Sequence, residues 1–219
     1  MLSSKRVILP LVGSSFLPGK AKDTIEKIKD QELAQIAWAE YYFFSAKAKE
    51  CVEIVEKYLN HEDVILRLSA DMLYTFSNLT LGDAFAAQYA REDVYRCFEK
   101  VMKENTPIEE KASCVFAYYV ISIFIHIPPQ EKIPPLEQYI SYLPIGQRLF
   151  AISLLAHQTY LKQEYAKAKG IVQGAFFMAD GIYPIAMTYL NCVQAMCQIN
   201  LKEQEELSLI HISEPTRPY

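Results

Sequence analysis

Residues 160–175 read Tyr-Leu-Lys-Gln-Glu-Tyr-Ala-Lys-Ala-Lys-Gly-Ile-Val-Gln-Gly-Ala. Small side chains, Ala168 and Ala175, recur here at a helical spacing, and Ala156 stands in the apolar stretch before them. Two helices approach closely only where no larger side chain separates their axes. The segment therefore predicts a tight pair of helices, Gln147–Leu161 and Tyr165–Met178, joined by a short turn.

This segment resembles the turn and second helix of a tetratricopeptide repeat, a helix pair of about 34 residues. Residues 39–58 follow the same pattern, with Ala39, Tyr42, Cys51, Val55 and Tyr58, and it begins again at Ala195. The equivalent first-helix positions, at spacings of 36, 42, 39 and 39 residues, are Ala39, Thr75, Ala117, Ala156 and Ala195. The second and third units match weakly. We predict an all-α protein, a tetratricopeptide-like right-handed α-solenoid of four helix pairs plus the first helix of a fifth.

The composition agrees with a folded helical chain and excludes several functions. It is 51% hydrophobic with only 7 Gly in 219 residues, which argues against a disordered chain and a Gly-rich nucleotide binder. The net charge of −4 offers no basic field for nucleic acid or an anionic membrane. Five Cys without a C-x-x-C spacing indicate reduced thiols and hence a cytoplasmic protein. No stretch approaches the roughly 20 apolar residues that a membrane span needs.

Several helix boundaries follow from capping signals. We predict helices over Val64–Leu81 and Ala84–Lys103, with Gly82-Asp83 as the turn between them and Asn60 as a cap before the first. Thr106, Pro107 and Glu109 form a capping-box pattern for the next helix. Leu136–Leu143 and Pro184–Leu201 are predicted as further helices. Residues 1–19 form an N-terminal arm, and residues 20–206 form the repeat domain.

Residues 207–219 resemble a transposase-type sequencing adapter translated in frame, beginning Leu-Ser-Leu-Ile-His-Ile-Ser-Glu-Pro. The alternative is a natural, polar tail interrupted by proline. We interpret the segment as a sequencing artefact, leave it out of the predicted fold, and expect the natural chain to continue differently after Glu206. The last predicted helix would then lack a neighbouring helix. We therefore expect an exposed apolar stripe over Leu190, Val193 and Met196.

Five segments resemble the helical region of LuxR-type transcriptional regulators of anaerobic Firmicutes, with MalT-like repeats and no preceding ATPase. They are Phe-Leu-Pro-Gly-Lys-Ala (16–21), Ala-Glu-Tyr-Tyr-Phe-Phe (39–44), Leu-Arg-Leu-Ser-Ala (66–70), Ala-His-Gln-Thr-Tyr-Leu (156–161) and Ile-Tyr-Pro-Ile-Ala-Met-Thr-Tyr-Leu (182–190). The resemblance covers about residues 6–206. It implies a DNA-binding helix-turn-helix after the repeats, and residues 1–206 contain no segment typical of a recognition helix.

The repeat register predicts which side chains line the inner wall of the solenoid. These are Glu40, Phe43, Met72, Phe76, Cys114, Tyr118, His157 and Tyr160. The wall is aromatic with few charges, and it could form a groove for a peptide, a protein or a small-molecule effector. It could equally be packed against a neighbouring repeat or against a missing segment of the natural chain.

Other patterns of chemical interest are weak. Residues 13–20 depart from the phosphate-loop pattern, because five residues separate the glycines and Ala21 replaces the Ser or Thr that holds magnesium. His61, His126 and His157 lack metal-ligand spacing. The cysteines stand in apolar stretches and are predicted to be buried structural thiols. We predict no cofactor, no metal and no catalytic residue.

The expected function is a sensing or protein-interaction module of a LuxR-type regulator. DNA would be contacted only through the helix-turn-helix that is missing here, and a homo-oligomer is possible. A free-standing tetratricopeptide adaptor is the alternative. An all-α enzyme would need a polar cluster in a cleft, and the sequence shows none.

Overall fold

The fold is all-helical in the part of the chain that the computed structural model describes, namely residues 18–103, 105–125, 127, 130, 132–179 and 184–201. Within these ranges there are nine α-helices and no strand. The helices are α1 (Pro18–Glu26), α2 (Gln31–Phe44), α3 (Ala48–Val55), α4 (Val64–Leu81), α5 (Ala84–Lys103), α6 (Ile108–Phe124), α7 (Ile145–Leu161), α8 (Tyr165–Met178) and α9 (Pro184–Asn200). The all-α prediction is therefore confirmed. The N-terminal arm and residues 207–219 lie outside the described residues.

Three local predictions need correction. Asp63, not Asn60, caps α4, and its Oδ1 accepts hydrogen bonds from the backbone N–H groups of Ile65 and Leu66 at 2.8 and 3.2 Å. Helix α6 begins at Ile108 after Pro107, without the side-chain cap predicted at Thr106. Residues 136–143 form two short 3₁₀ turns, Leu136–Gln138 and Ile140–Tyr142, in place of one α-helix.

The chain divides into two units, Met1–Arg148 and Leu149–Tyr219. In the first unit each helix packs against the next, from α1 to α6. Helix α4 also contacts α2 and α6, which are its neighbours but one along the chain. Leu66, Ala70 and Leu73 of α4 share one core cluster with Ile36, Ala39, Cys51 and Val55 of α2 and α3. The predicted packing positions of the first repeat therefore meet in one core.

Helix α1 adds a separate small cluster at the start of this unit. Ala21 and Ile25 are buried against Ala37, and Trp38 and Tyr41 pack around them. The rings of Trp38 and Tyr41 meet edge to face at a centroid distance of 5.5 Å. Aromatic contacts of this geometry add to the free energy gained from apolar burial.

The second unit contains the greater part of α7 together with α8 and α9. Helices α8 and α9 pack together, and α7 reaches α9 through Phe150 and Tyr189, whose ring centroids are 5.1 Å apart. Ala156, Ala168 and Ala175, the small residues predicted to mark close helix contacts, are all 0% exposed. Among the described helices, none is both long and apolar enough to span a membrane.

Three of the joints between helices contain a residue in the left-handed conformation. Gly82 between α4 and α5 has φ of 87°, Ala46 between α2 and α3 has φ of 59°, and Gln163 between α7 and α8 has φ of 64°. Glycine adopts this conformation without strain, whereas a Cβ atom costs about 1–2 kcal/mol there. Gly82 ends α4 with its N–H directed at the carbonyl groups of Asn78 and Leu79.

Replacing Ala46 by Gly is expected to stabilise the chain by about 0.5–1 kcal/mol, because it removes the left-handed strain at a small cost in backbone entropy. Urea unfolding measures the change. Ala48→Gly, two residues later in the first turn of α3, is the matched control and should destabilise by about the same amount. A loss of stability in Ala46→Gly would contradict the strained joint.

Candidate functional site

The predicted inner wall is largely buried. Tyr118, Met72 and Cys114 are 0% exposed, Glu40 is 2% exposed and Phe76 is 8% exposed. Phe43, His157 and Tyr160 are half-buried. The structure brings wall residues together within each unit, and Phe76 packs against Phe43 and Phe124 at ring centroid distances of 5.8 and 4.7 Å. This burial favours the alternative in which the wall packs inside the protein, and its role in binding an effector stays a prediction.

Tyr118 shows what the burial of this wall involves. The Arg91 guanidinium lies over its ring at 4.9 Å, and Arg91 Nε donates to Ser122 Oγ at 2.9 Å. The Tyr118 hydroxyl is buried and has no hydrogen-bond partner among the described residues. Tyr118 therefore acts as an apolar core residue and a platform for a buried cation.

The wall residues of the second unit are His157 and Tyr160 on α7. Their rings stack at a centroid distance of 6.4 Å, and the Tyr160 hydroxyl accepts a hydrogen bond of 2.9 Å from the Asn200 amide of α9. Burial lowers the pKa of His157, so its neutral form is favoured. These two side chains could bind a neutral polar group by stacking and hydrogen bonding.

A buried cluster of charged residues joins α4 to α5, and sequence reasoning missed it. Asp93 of α5 is 1% exposed and receives Arg67 Nε of α4 at 2.5 Å on its Oδ2 atom. Its Oδ1 atom accepts hydrogen bonds from Arg67 Nη2 and, at 2.8 Å, from Arg96 Nη2. Asp71 of α4 is 0% exposed and lies beside Asp93. The cluster, Arg67, Asp71, Asp93 and Arg96, is named the Asp71–Asp93 cluster below.

The pKa values of the two carboxyl groups of this cluster are shifted in opposite directions. Burial disfavours the ionised form of Asp93, but the hydrogen bonds from Arg67 and Arg96 outweigh it and lower the pKa overall. Burial, and then the neighbouring Asp93 charge, raise the pKa of Asp71 well above the ordinary range. Burial and mutual repulsion therefore favour the protonated form of Asp71, whereas the two guanidinium groups favour the ionised form of Asp93.

Chemically, the Asp71–Asp93 cluster resembles a paired acid and base, but both carboxyl groups are shielded from solvent. A substrate in water could not reach them in this conformation. The sequence held one signal for it, because Arg67 and Asp71 stand four residues apart in an otherwise uncharged helix. The partner Asp93 could not be chosen among the acidic residues of α5 without the helix register.

The exposed face of α9 differs from the predicted stripe. Leu190 and Val193 are 0% and 2% exposed, so their predicted exposure is wrong. The exposed apolar residues are Tyr189, Cys192 and Ile199, with Met196 half-buried on the same face. The pattern is displaced by one residue because Leu190, Val193 and Cys197 point inward. No charged residue occurs in α9, so this face is neutral as well as apolar.

The cysteines mostly follow the prediction. Cys51, Cys97, Cys114 and Cys197 are buried, whereas Cys192 is exposed on α9. Burial raises the pKa of Cys51 to about 11 and that of Cys97 to about 12. Thiolates are the nucleophilic form of cysteine, so these two thiols are poor nucleophiles at neutral pH. Among the described residues no group of three or more His, Cys, Asp or Glu side chains could hold a metal ion.

A surface depression of about 450 Å³ lies at the start of α2, lined by Gln31, Glu32, Ala34, Gln35, Trp38 and Tyr58. Beside it, His61 Nε2 and Glu32 Oε1 are 3.1 Å apart. His61 Nδ1 accepts the backbone N–H of Asp63, which leaves Nε2 as the protonated nitrogen that donates to Glu32. His61 therefore stabilises the turn at Asp63, the N-cap of α4. The phosphate-loop-like residues 13–17 and His126 lie outside the described residues.

The architecture and these contacts define an all-helical protein. Comparisons of the chain with protein-family models, with curated proteins and with solved structures give no match.

Proposed function

We propose that the chain is a tetratricopeptide-like repeat module whose function is interaction with other molecules. The observation that carries this proposal is the position of the left-handed residues. Ala46, Gly82 and Gln163 each follow, by seven residues, one of the register positions Ala39, Thr75 and Ala156. The same backbone conformation at the same repeat position supports three helix pairs built on one plan, α2–α3, α4–α5 and α7–α8.

Burial and contacts support the same register. Ala39, Thr75, Ala117 and Ala156 are all 0% exposed. In the first unit, α4 contacts both its partner α5 and the next first helix α6, as expected when helix pairs stack side by side. A right-handed solenoid would be built by continuing this stacking.

The third repeat departs from this plan. None of residues 120–125, at the end of α6, has a left-handed backbone. Two 3₁₀ turns that pack on α6 stand where the second helix of the pair would be. Four prolines in residues 128–135 explain the departure, because proline lacks the N–H that a helix needs and disfavours helical backbone in the residue before it. The spacing of 42 residues before Ala117 already marks this region as irregular in sequence.

Within this proposal the module belongs to a LuxR-type regulator. An effector or partner bound to the repeats would alter the access of a DNA-binding helix-turn-helix elsewhere in the natural protein. The five LuxR-like segments support this assignment, and the negative charge of this chain fits a module that does not itself bind DNA. The alternative is a free-standing adaptor. The same fold supports it, and it does not depend on the LuxR-like segments.

Recovery of the natural gene beyond the codon for Glu206 tests the assignment. An open frame with further helical repeats and a helix-turn-helix is expected. The complete protein should then bind its operator in an effector-dependent way, and deleting the repeats should abolish that dependence. A frame that closes after one more helix, or operator binding that is indifferent to the repeats, would overturn the regulator proposal and leave the adaptor.

The face of α9 gives a prediction about the isolated chain. In α2, α4 and α6 the side chains three residues before and one residue after the small register residue are buried. In α9 the equivalent residues are Cys192, which is exposed, and Met196, which is half-buried. We expect two copies to associate through this face. Ile199 on this face is 61% exposed. Because Ile199→Asp places a charge in the apolar contact, it should weaken association by about tenfold or more.

Sedimentation equilibrium measures this association. Leu161→Asp, at an equally exposed apolar position of α7, is the matched control and should leave the association constant unchanged. A chain that is monomeric at all concentrations, or equal effects of both substitutions, would contradict an interaction through α9.

A further inference from the structure

The arrangement around Asp71 leaves its carboxyl group with an unusual partner. Its side chain is 0% exposed, and neither oxygen receives a hydrogen bond from a donor group in the described part of the chain. The side chain within hydrogen-bonding reach is that of Asp93. Asp93 already accepts three guanidinium hydrogen bonds from Arg67 and Arg96, so it is the ionised member.

Two carboxylates in contact and shielded from water repel each other strongly, since neither solvent nor a donor group separates their charges. A single proton between them converts this repulsion into a hydrogen bond. We infer that Asp71 keeps its proton in the native protein, donates it to Asp93, and thereby forms a pH-sensitive link between α4 and α5. Base removes that proton to water and leaves two adjacent negative charges.

The other ionisable groups around this link are few. Asp71 senses the charges of Asp93, Arg67 and Arg96. Besides burial, the charges of Asp71 and Asp93 raise the pKa of Cys97 of α5, and Cys97 in turn raises the pKa of Cys114 of α6. On the remaining helices packed against α4, besides burial, the charge of Glu40 of α2 raises the pKa of Cys51 of α3. Arg67 and Arg96 favour the ionised form of Asp71, but burial and the Asp93 charge outweigh them, and both guanidinium groups donate hydrogen bonds to Asp93.

The sign of the pH effect follows from the proton balance. A group that binds its proton more tightly in the folded chain stabilises that chain at low pH and loses this contribution as pH rises. The contribution of Asp71 therefore declines from the ordinary titration range of aspartate upward, until the folded protein also releases its proton. Asp93 acts in the opposite sense, since its ionised form is the one stabilised by Arg67 and Arg96.

Urea unfolding of Asp71→Asn between about pH 5 and pH 8 tests the inference. The amide can donate to Asp93 without a titrating proton. Over this range the parent's unfolding constant is expected to rise by up to about tenfold per pH unit relative to Asp71→Asn. Asp83→Asn, at the exposed start of α5 where its oxygen caps Ala86 N–H, is the matched control and should keep the parent's pH dependence. Parallel pH profiles for the parent and Asp71→Asn would overturn the inference.

A second measurement covers the case in which Asp71→Asn does not fold. The carboxyl ¹³C resonance of Asp71 in the parent protein reports its protonation directly. It should stay at the position of a neutral carboxylic acid through neutral pH. Titration of this resonance in the ordinary range of an exposed aspartate would overturn the inference.

Discussion

Asp93→Ala is expected to lower the free energy of unfolding by about 3–5 kcal/mol, the cost of breaking a buried ion pair from one side. The substitution removes the acceptor of Arg67 and Arg96 and leaves the Arg67 guanidinium, 24% exposed, without its carboxylate. It also removes the side chain that lies against Asp71. Urea unfolding at neutral pH measures the loss.

Glu92→Ala is the matched control for this substitution. Glu92 is the preceding residue of α5 and carries the same charge, but its side chain is 49% exposed and 3.8 Å from Arg91. The Glu92 carboxylate is half exposed and lies at a long distance from Arg91, so the pair contributes little, and a change within about 0.5 kcal/mol is expected. Equal losses of stability for the two variants would show that removing any negative charge from α5 has this effect. The proposed role of the buried Asp93 ion pair would then be contradicted.

Tyr118→Ala is expected to cost about 3–5 kcal/mol, as for other large aromatic side chains deleted from a core. Tyr118 is among the largest fully buried side chains of the described residues, and its removal would also leave Arg91 without the ring beneath it. Tyr118→Phe should be neutral or slightly stabilising, because the deleted hydroxyl is buried without a hydrogen-bond partner in the described part of the chain. Thermal and urea unfolding of both variants measure these changes.

This pair of variants also decides between the two interpretations of the predicted wall. A side chain that lines an open groove would tolerate Ala with little loss of stability and would lose ligand binding instead. A core side chain behaves as described above. A mild effect of Tyr118→Ala, or a large loss in Tyr118→Phe, would contradict the packed wall.

Helix content and several helix boundaries could be predicted from the sequence alone, because they depend on local signals. The bounds of α4, α5 and α8 agree with the prediction to the residue. Gly82 and Asp83 determine the joint between α4 and α5 through a left-handed backbone and a side-chain cap, and both effects act within four residues. The small residues Ala39, Ala156 and Ala168 likewise predict close packing from size alone.

Features that depend on a second helix could not be predicted. The exposed face of α9 differs by one residue from the prediction, since a helix rotates by about 100° per residue and its true orientation depends on its neighbours α7 and α8. The Asp71–Asp93 cluster requires two helices in a definite register. The groove residues were transferred from one repeat to the next, and that transfer could not reveal how much of the wall the neighbouring helices cover.

Trp38, which packs against α1, is the single tryptophan of the sequence. Its emission is therefore an optical reporter of one place in the molecule, the junction of α1 with α2. Tyrosines, in contrast, occur in both units, and helical circular dichroism averages over every helix. Following both signals through one denaturation separates the release of α1 from the melting of the rest. An optical scan that relied on Trp38 alone would record a local event as though it were the whole transition.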